Sequence, residues 1–147
     1  MITNPAIIAE LNRIAGDNDG VLFAEDVVQA ARPESSPLHS CFQWDDTAAA
    51  EQYRLQQARQ LIRVTVSYIA GDPDSRHRVY VSLSPDRTED RGGYRSTVAV
   101  LSSPEYRKQL LADALAEMDR FTAKYQGLQE LASVFDAMRK AKRKKAS

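Results

Sequence analysis

The spacing of apolar residues changes twice along this chain, and that switch limits the folds open to it. Ile7, Ile8, Leu11, Ile14 and Ala15 recur at helical intervals, as one face of a helix requires. Asn4 and Pro5 suit a cap and a first helical position, and Gly16 followed by Asp-Asn-Asp-Gly supplies a stop and a turn. A second, short helix is expected over Ala24–Ala31, with Val27, Val28 and Ala31 inward and Pro33 preventing its continuation. A third is expected over about 46–63, capped by Asp45 or Asp46 and burying Ala48, Leu55, Ala58, Leu61 and Ile62. The period then becomes two, in Ile62, Val64, Val66 and Tyr68, in Val79, Val81 and Leu83, and in Val98 and Val100. Turn-rich polar stretches at 70–76 and 85–93 separate these runs. Helical spacing returns after Ser102 and Glu105, which stand at capping-box distance. Leu111, Leu115, Met118, Phe121 and Tyr125 form one stripe, Gly127 interrupts it, and Leu128, Leu131, Phe135 and Met138 form a second, narrower one.

The expected architecture is therefore α+β. An N-terminal three-helix unit, helix-turn-helix-like in its order, is followed by a three-stranded antiparallel meander and two C-terminal helices. Residues 1–138 are expected to form a single α+β domain and 139–147 a basic C-terminal tail. The segment between the second and third helices holds Leu38, Phe42 and Trp44; groups this large are expected to turn inward and anchor it to the core.

No apolar run approaches the roughly 18 residues of a membrane span, the N-terminus lacks the pattern of a signal peptide, and a single cysteine forms no internal disulfide. Those features point to a cytoplasmic protein without membrane partners. The formal net charge is zero, but residues 139–145 hold six Lys or Arg and no acid, which leaves 14 bases against 20 acids in residues 1–138. Such a split suits contact with nucleic acid, and it also suits a helix end whose cations face the negative pole of the dipole.

Catalytic and metal chemistry find little support. His39, Cys41, Asp45 and Asp46 lie close in sequence, with His77 far off, but a structural zinc site wants four Cys or His ligands. Residues two apart, such as His39 and Cys41, rarely form a nucleophile pair. Neither a phosphate-cradling glycine loop nor a nucleophile elbow is present. No catalytic residue, metal or cofactor is expected, and the chain is not read as an enzyme.

Binding is better supported. After Glu51 the third helix carries Gln52, Arg54, Gln56, Gln57, Arg59, Gln60 and Arg63 on its polar positions. Arg pairs with guanine and Gln with adenine in a major groove. Arg54, Gln57 and Arg59 are the expected central contacts to duplex DNA, joined by Arg63. Arg78, with Arg76, Arg87, Arg91 and Arg95, would meet phosphates as a wing does. Lys142, Arg143, Lys144 and Lys145 would add salt-sensitive affinity. The alternative is a protein-interaction or assembly module, a homodimer or a host-factor binder, meeting its partner through Leu128, Leu131, Phe135 and Met138.

Across residues 35–63 the pattern SSPLHSxFxWDDxxAAxxYRLxQARxLIR resembles one found in small uncharacterised proteins of bacteriophages and prophages. Glu25-Asp26-Val27-Val28 and Ala30-Ala31-Arg32 fit the same pattern. The resemblance covers about the first half of the chain and carries no catalytic residues. It implies a phage-related, non-secreted protein, in the host-cell cytoplasm if phage-encoded, and favours a regulatory, binding role over catalysis.

Overall fold

The computed structural model describes residues 2–44, 47–67, 74–88 and 91–146. The chain divides into two compact units, Met1–Ser103 and Pro104–Ser147. The described residues form a mostly helical α+β structure with seven α-helices and two small antiparallel sheets.

In the first unit, helix α1 (Pro5–Gly16) starts as its sequence dictates. The Asn4 side chain accepts the Ala6 N–H at 2.9 Å and Pro5 occupies the first turn. Strand β1 (Val21–Leu22) follows the turn, whose Gly20 has φ 84°, a left-handed conformation that glycine adopts without strain. Helix α2 (Ala24–Ala31) buries Val27, Val28 and Ala31 as expected, and Ala24 with them. The connection then turns inward. Leu38 is fully buried, a short 3-10 turn covers His39–Cys41, and Phe42 and Trp44 pack on the core. Helix α3 (Ala48–Val64) is capped by Thr47, whose hydroxyl accepts the Ala50 N–H at 3.2 Å. The cap is thus Thr47, while Asp45 and Asp46 lie outside the described residues.

Residues 32–47 separate α2 from α3. A helix-turn-helix uses a turn of roughly three to four residues, so this pair, although packed together, is joined differently. Leu11, Leu22, Val27, Val28, Ala31, Leu38, Ala58 and Ile62 form the centre of the first unit's core.

The strand region departs most from expectation. Strands β2 (Val66–Ser67), β3 (His77–Arg78), β4 (Tyr80–Val81) and β5 (Tyr94–Ser96) are two or three residues long. The three-stranded sheet has the order β1-β5-β4, antiparallel throughout, with Val21 opposite Arg95 and Tyr80 opposite Ser96. It is no meander, because β1 reaches it from between the first two helices. A separate pair joins β2 to β3, and Ile2 bridges Thr65 beside it in parallel. Ile62 and Val64 belong to α3, and Tyr68 lies outside the described residues. A one-turn helix α4 (Ser84–Arg87) occupies part of the expected second loop.

Val98 and Val100 are not in a strand but in helix α5 (Thr97–Ser102), capped by Ser96. On a strand both would face one side. Here Val98 is 66% exposed and Val100 fully buried, as a helical rotation of about 200° between them requires.

The second unit holds helix α6 (Pro104–Tyr125), a 3-10 turn at Gln129–Leu131 and helix α7 (Ala132–Ala146). Phe121 and Phe135 meet with ring centroids 6.1 Å apart, and the Thr122 hydroxyl lies 3.6 Å from the Met138 sulfur. These contacts close the two helices on each other. The basic segment expected as a tail is the second half of α7.

Candidate nucleic-acid interface

The geometry of α3 sorts its arginines. Arg54 is only 6% exposed. It stands four, seven and eight residues before Ala58, Leu61 and Ile62, so helical rotation carries it onto the buried stripe. There its guanidinium donates to Glu51 Oε2 at 2.8 and 3.3 Å and to the Gln43 carbonyl at 3.3 Å. It also lies 5.4 Å from the Trp44 ring centroid, within cation–π range. Arg32 approaches the same ring at 5.7 Å and reaches Glu51 at 3.0 Å. The hydrogen bond from Arg54, aided by the charge of Arg32, holds the Glu51 carboxyl below its ordinary value. Trp44 itself donates its indole N–H to the His39 carbonyl at 2.9 Å and stacks on the His39 ring, 5.0 Å away and 10° from parallel. Arg54 is therefore held by contacts within its own unit and is not presented on an open face of α3.

Gln57 is half-buried, and its side-chain oxygen accepts the Gln43 N–H at 3.3 Å, which ties the incoming loop to α3. Arg59 and Arg63 remain exposed, and Arg63 donates to Gln60 Oε1 at 3.1 Å. The three expected central contacts thus do not converge on one exposed face.

The expected wing is dispersed in the same way. Arg91 lies over the Phe23 ring at 4.0 Å and pairs with Glu25 and Asp26 of α2, each at 3.0 Å; the hydrogen bond to Glu25 leads the effects that raise its pKa. Arg95 grips the buried Asp86 with two parallel bonds of 2.7 and 2.9 Å. Arg87 donates to the Ser82 carbonyl at 2.6 Å. These residues fasten β5 and the α4 loop to their surroundings. Arg78 is exposed on β3.

On α7, Lys140, Arg143, Lys144 and Lys145 are exposed. Lys142 pairs with Asp119 of α6 at 2.7 Å, and Arg139 pairs with Asp136. Phe135, Met138 and Lys142 lie on the side turned to α6. Lys140, Arg143 and Lys144, spaced i, i+3 and i+4, fall on the opposite side. The expected partner stripe is correspondingly split. Phe135 is buried and Leu131 and Met138 half-buried within their own unit, while Leu128 is 48% exposed. The first unit carries 10 Arg and Lys against 14 acids, the second 10 against 6. The positive excess therefore belongs to the α6–α7 unit.

Among the described residues the His39–Cys41 turn gathers no convergent ligand set. His39 Nδ1 lies 2.9 Å from the Ala31 carbonyl, and burial pushes the Cys41 thiol up. His77 Nδ1 lies 3.5 Å from the Ser75 carbonyl, and among the described residues no three His, Cys, Asp or Glu side chains gather.

Sequence reading passed over an open groove beside α3. Its volume is about 550 Å³, and Tyr53, Gln56, Gln60 and Arg63 line it together with Ile2, Cys41, Leu61 and Val64. Tyr53, 48% exposed, was the available signal: an aromatic residue on the polar side of a helix, in register with Gln56, Gln57 and Gln60.

No known protein family, curated protein or solved structure matches the chain. No described helix is long and apolar enough to cross a membrane.

Proposed function

We propose that this is a small, non-catalytic nucleic-acid-binding protein of phage-related origin that holds duplex DNA through the phosphate-facing cations of α7. The observation that carries this reading is the ordered helix itself. It presents Lys140, Arg143 and Lys144 on the side away from α6, with Lys145 following. Binding by such a surface is electrostatic and weakly selective for sequence, because phosphate contacts position a protein without reading bases. Arg59, Arg63 and Arg78 are secondary contributors, and Arg54 and Gln57 act by shaping the fold around α3.

The test is a salt titration of duplex-DNA binding by the full chain and by a variant carrying Lys140→Gln, Arg143→Gln, Lys144→Gln and Lys145→Gln. Four released counterions give a slope of log K against log salt of about −3.5. The quadruple variant should bind more weakly, with a slope shallower by about 3.5. Failure of the native chain to bind at low salt, or an unchanged slope in the variant, overturns the proposal. A second reading, a protein-interaction module, is favoured by Leu128 and Val134, both exposed apolar side chains at the start of the α7 segment. It predicts a dimer or larger species by light scattering that Leu128→Asp disperses.

A further inference from the structure

The groove beside α3 has a chemistry distinct from that of the basic helix. Its floor is apolar, made by Ile2, Leu61 and Val64 with the Cys41 side chain beside them. Its rim is rich in donors. The Gln60 oxygen is occupied by Arg63, which leaves the Gln60 amide N–H groups and the other guanidinium N–H groups for an incoming ligand. Gln56 and the Tyr53 hydroxyl add further donors, and no acid is among the described residues that line the groove. A site of about 550 Å³ is of the size that takes a small organic molecule. An apolar floor beneath cationic and amide donors complements one kind of ligand, a hydrocarbon body ending in an anionic acceptor.

We infer that this groove is a binding site for a small amphipathic carboxylate, its hydrocarbon part on Ile2, Leu61 and Val64 and its carboxylate at Arg63 and Gln60. Arg63 sets the sign of the charge accepted, and Tyr53 flanks the apolar part. The site lies within residues 2–64 and does not depend on the reading of α7 as a DNA-binding helix.

Octanoate is the probe, with octylammonium as its charge-reversed counterpart, and both are titrated into the full chain by calorimetry. Cys41 is the only cysteine, so the rate of its alkylation by iodoacetamide reports on the groove in parallel. Octanoate should bind with saturation and slow the alkylation, while octylammonium should do neither. Arg63→Gln should weaken octanoate about fivefold or more, as expected for one lost charge-assisted contact near the surface. The urea-unfolding midpoint of that variant should remain that of the native chain, because Arg63 is exposed. Absence of octanoate binding by calorimetry, equal binding of octylammonium, or an Arg63→Gln chain that binds octanoate as well as the native one would overturn the assignment.

Discussion

Replacing Arg54 with alanine separates the two roles open to that residue, anchor and base reader. As an anchor, Arg54 contributes through four contacts of different strength. Its buried stem loses about two methylene equivalents of packing, roughly 1.5 kcal/mol. The cation–π contact with Trp44 at 5.4 Å adds about 1 kcal/mol. The bond to the Gln43 carbonyl contributes about 1 kcal/mol. The ion pair adds little, because Glu51 is 40% exposed and water screens it. Arg54→Ala should therefore destabilise the first unit by about 3–4 kcal/mol, whereas Arg59→Ala, at an exposed position, should stay within about 0.5 kcal/mol of native.

Urea unfolding followed by fluorescence of Trp44, the only tryptophan, measures both values from within the affected contact. With a slope of about 2 kcal/mol per molar, the Arg54→Ala midpoint should fall by about 1.5–2 M while the slope is unchanged. Arg54→Lys should recover less than half of the loss, since an ammonium lacks the planar fork that lies over the indole while bonding to Glu51 and Gln43. The reasoning is refuted if Arg54→Ala unfolds with Arg59→Ala and the native chain yet loses sequence preference for DNA. That outcome would return the side chain to a reading role.

Three further perturbations test other parts of the structure. A Cβ on Gly93 would lie 2.5 Å from Val21 Cγ1 and 3.2 Å from Phe23 Cε1, and a branched valine yields poorly, so Gly93→Ala should lower stability by about 1–3 kcal/mol in the same urea assay. Burial pushes the Tyr80 phenol up to about 12 from its ordinary 10. The unfolded chain therefore loses that proton first as pH rises, so the contribution is whole below pH 10 and shrinks by about 2–3 kcal/mol toward pH 12. Tyr80→Phe, which loses the bond to Asn12, should cost about 1 kcal/mol below pH 10 and show a flatter alkaline decline in urea midpoints. Phe135→Asp places a charge against Phe121 inside the second unit and should cost about 3–5 kcal/mol there, visible as lost helicity in far-ultraviolet circular dichroism.

The helices were legible because each carries its own punctuation and stripe. Asn4, Pro5 and the five apolar residues after them specify α1 without reference to anything distant, and Ala24–Ala31 was read to its observed ends. The strands were not legible, because two or three residues cannot display a period. Val21 and Leu22 show no alternation, while Val98 and Val100 imitate it from inside a helix. The burial of Arg54 was not legible for a different reason: its charge outweighed its position, although its spacing from Ala58, Leu61 and Ile62 placed it on the buried stripe. The partners of Arg91 and Arg95 left no mark in the sequence either. Glu25 and Asp26 lie some 65 residues from Arg91, and only the folded chain brings them together.

Residue type follows this division of labour. All six lysines lie at or beyond Lys108, while the first 103 residues use ten arginines and no lysine. In that first unit Arg32 and Arg54 lie within cation–π range of Trp44, Arg91 covers Phe23 while holding two acids, and Arg95 forks onto Asp86. Each of these geometries needs a planar guanidinium with several donors, and an ammonium would serve none of them as well. On α7, by contrast, Lys140, Lys144 and Lys145 surround Arg143 on the exposed helix. A compact, hydrated charge suits a diffuse field of phosphates. Arg32, Arg54, Arg91 and Arg95 are thus engaged in the first unit's own packing, while the α6–α7 unit holds ten cations against six acids. That contrast is the physical reason to seek nucleic acid at α7 and a smaller ligand beside α3.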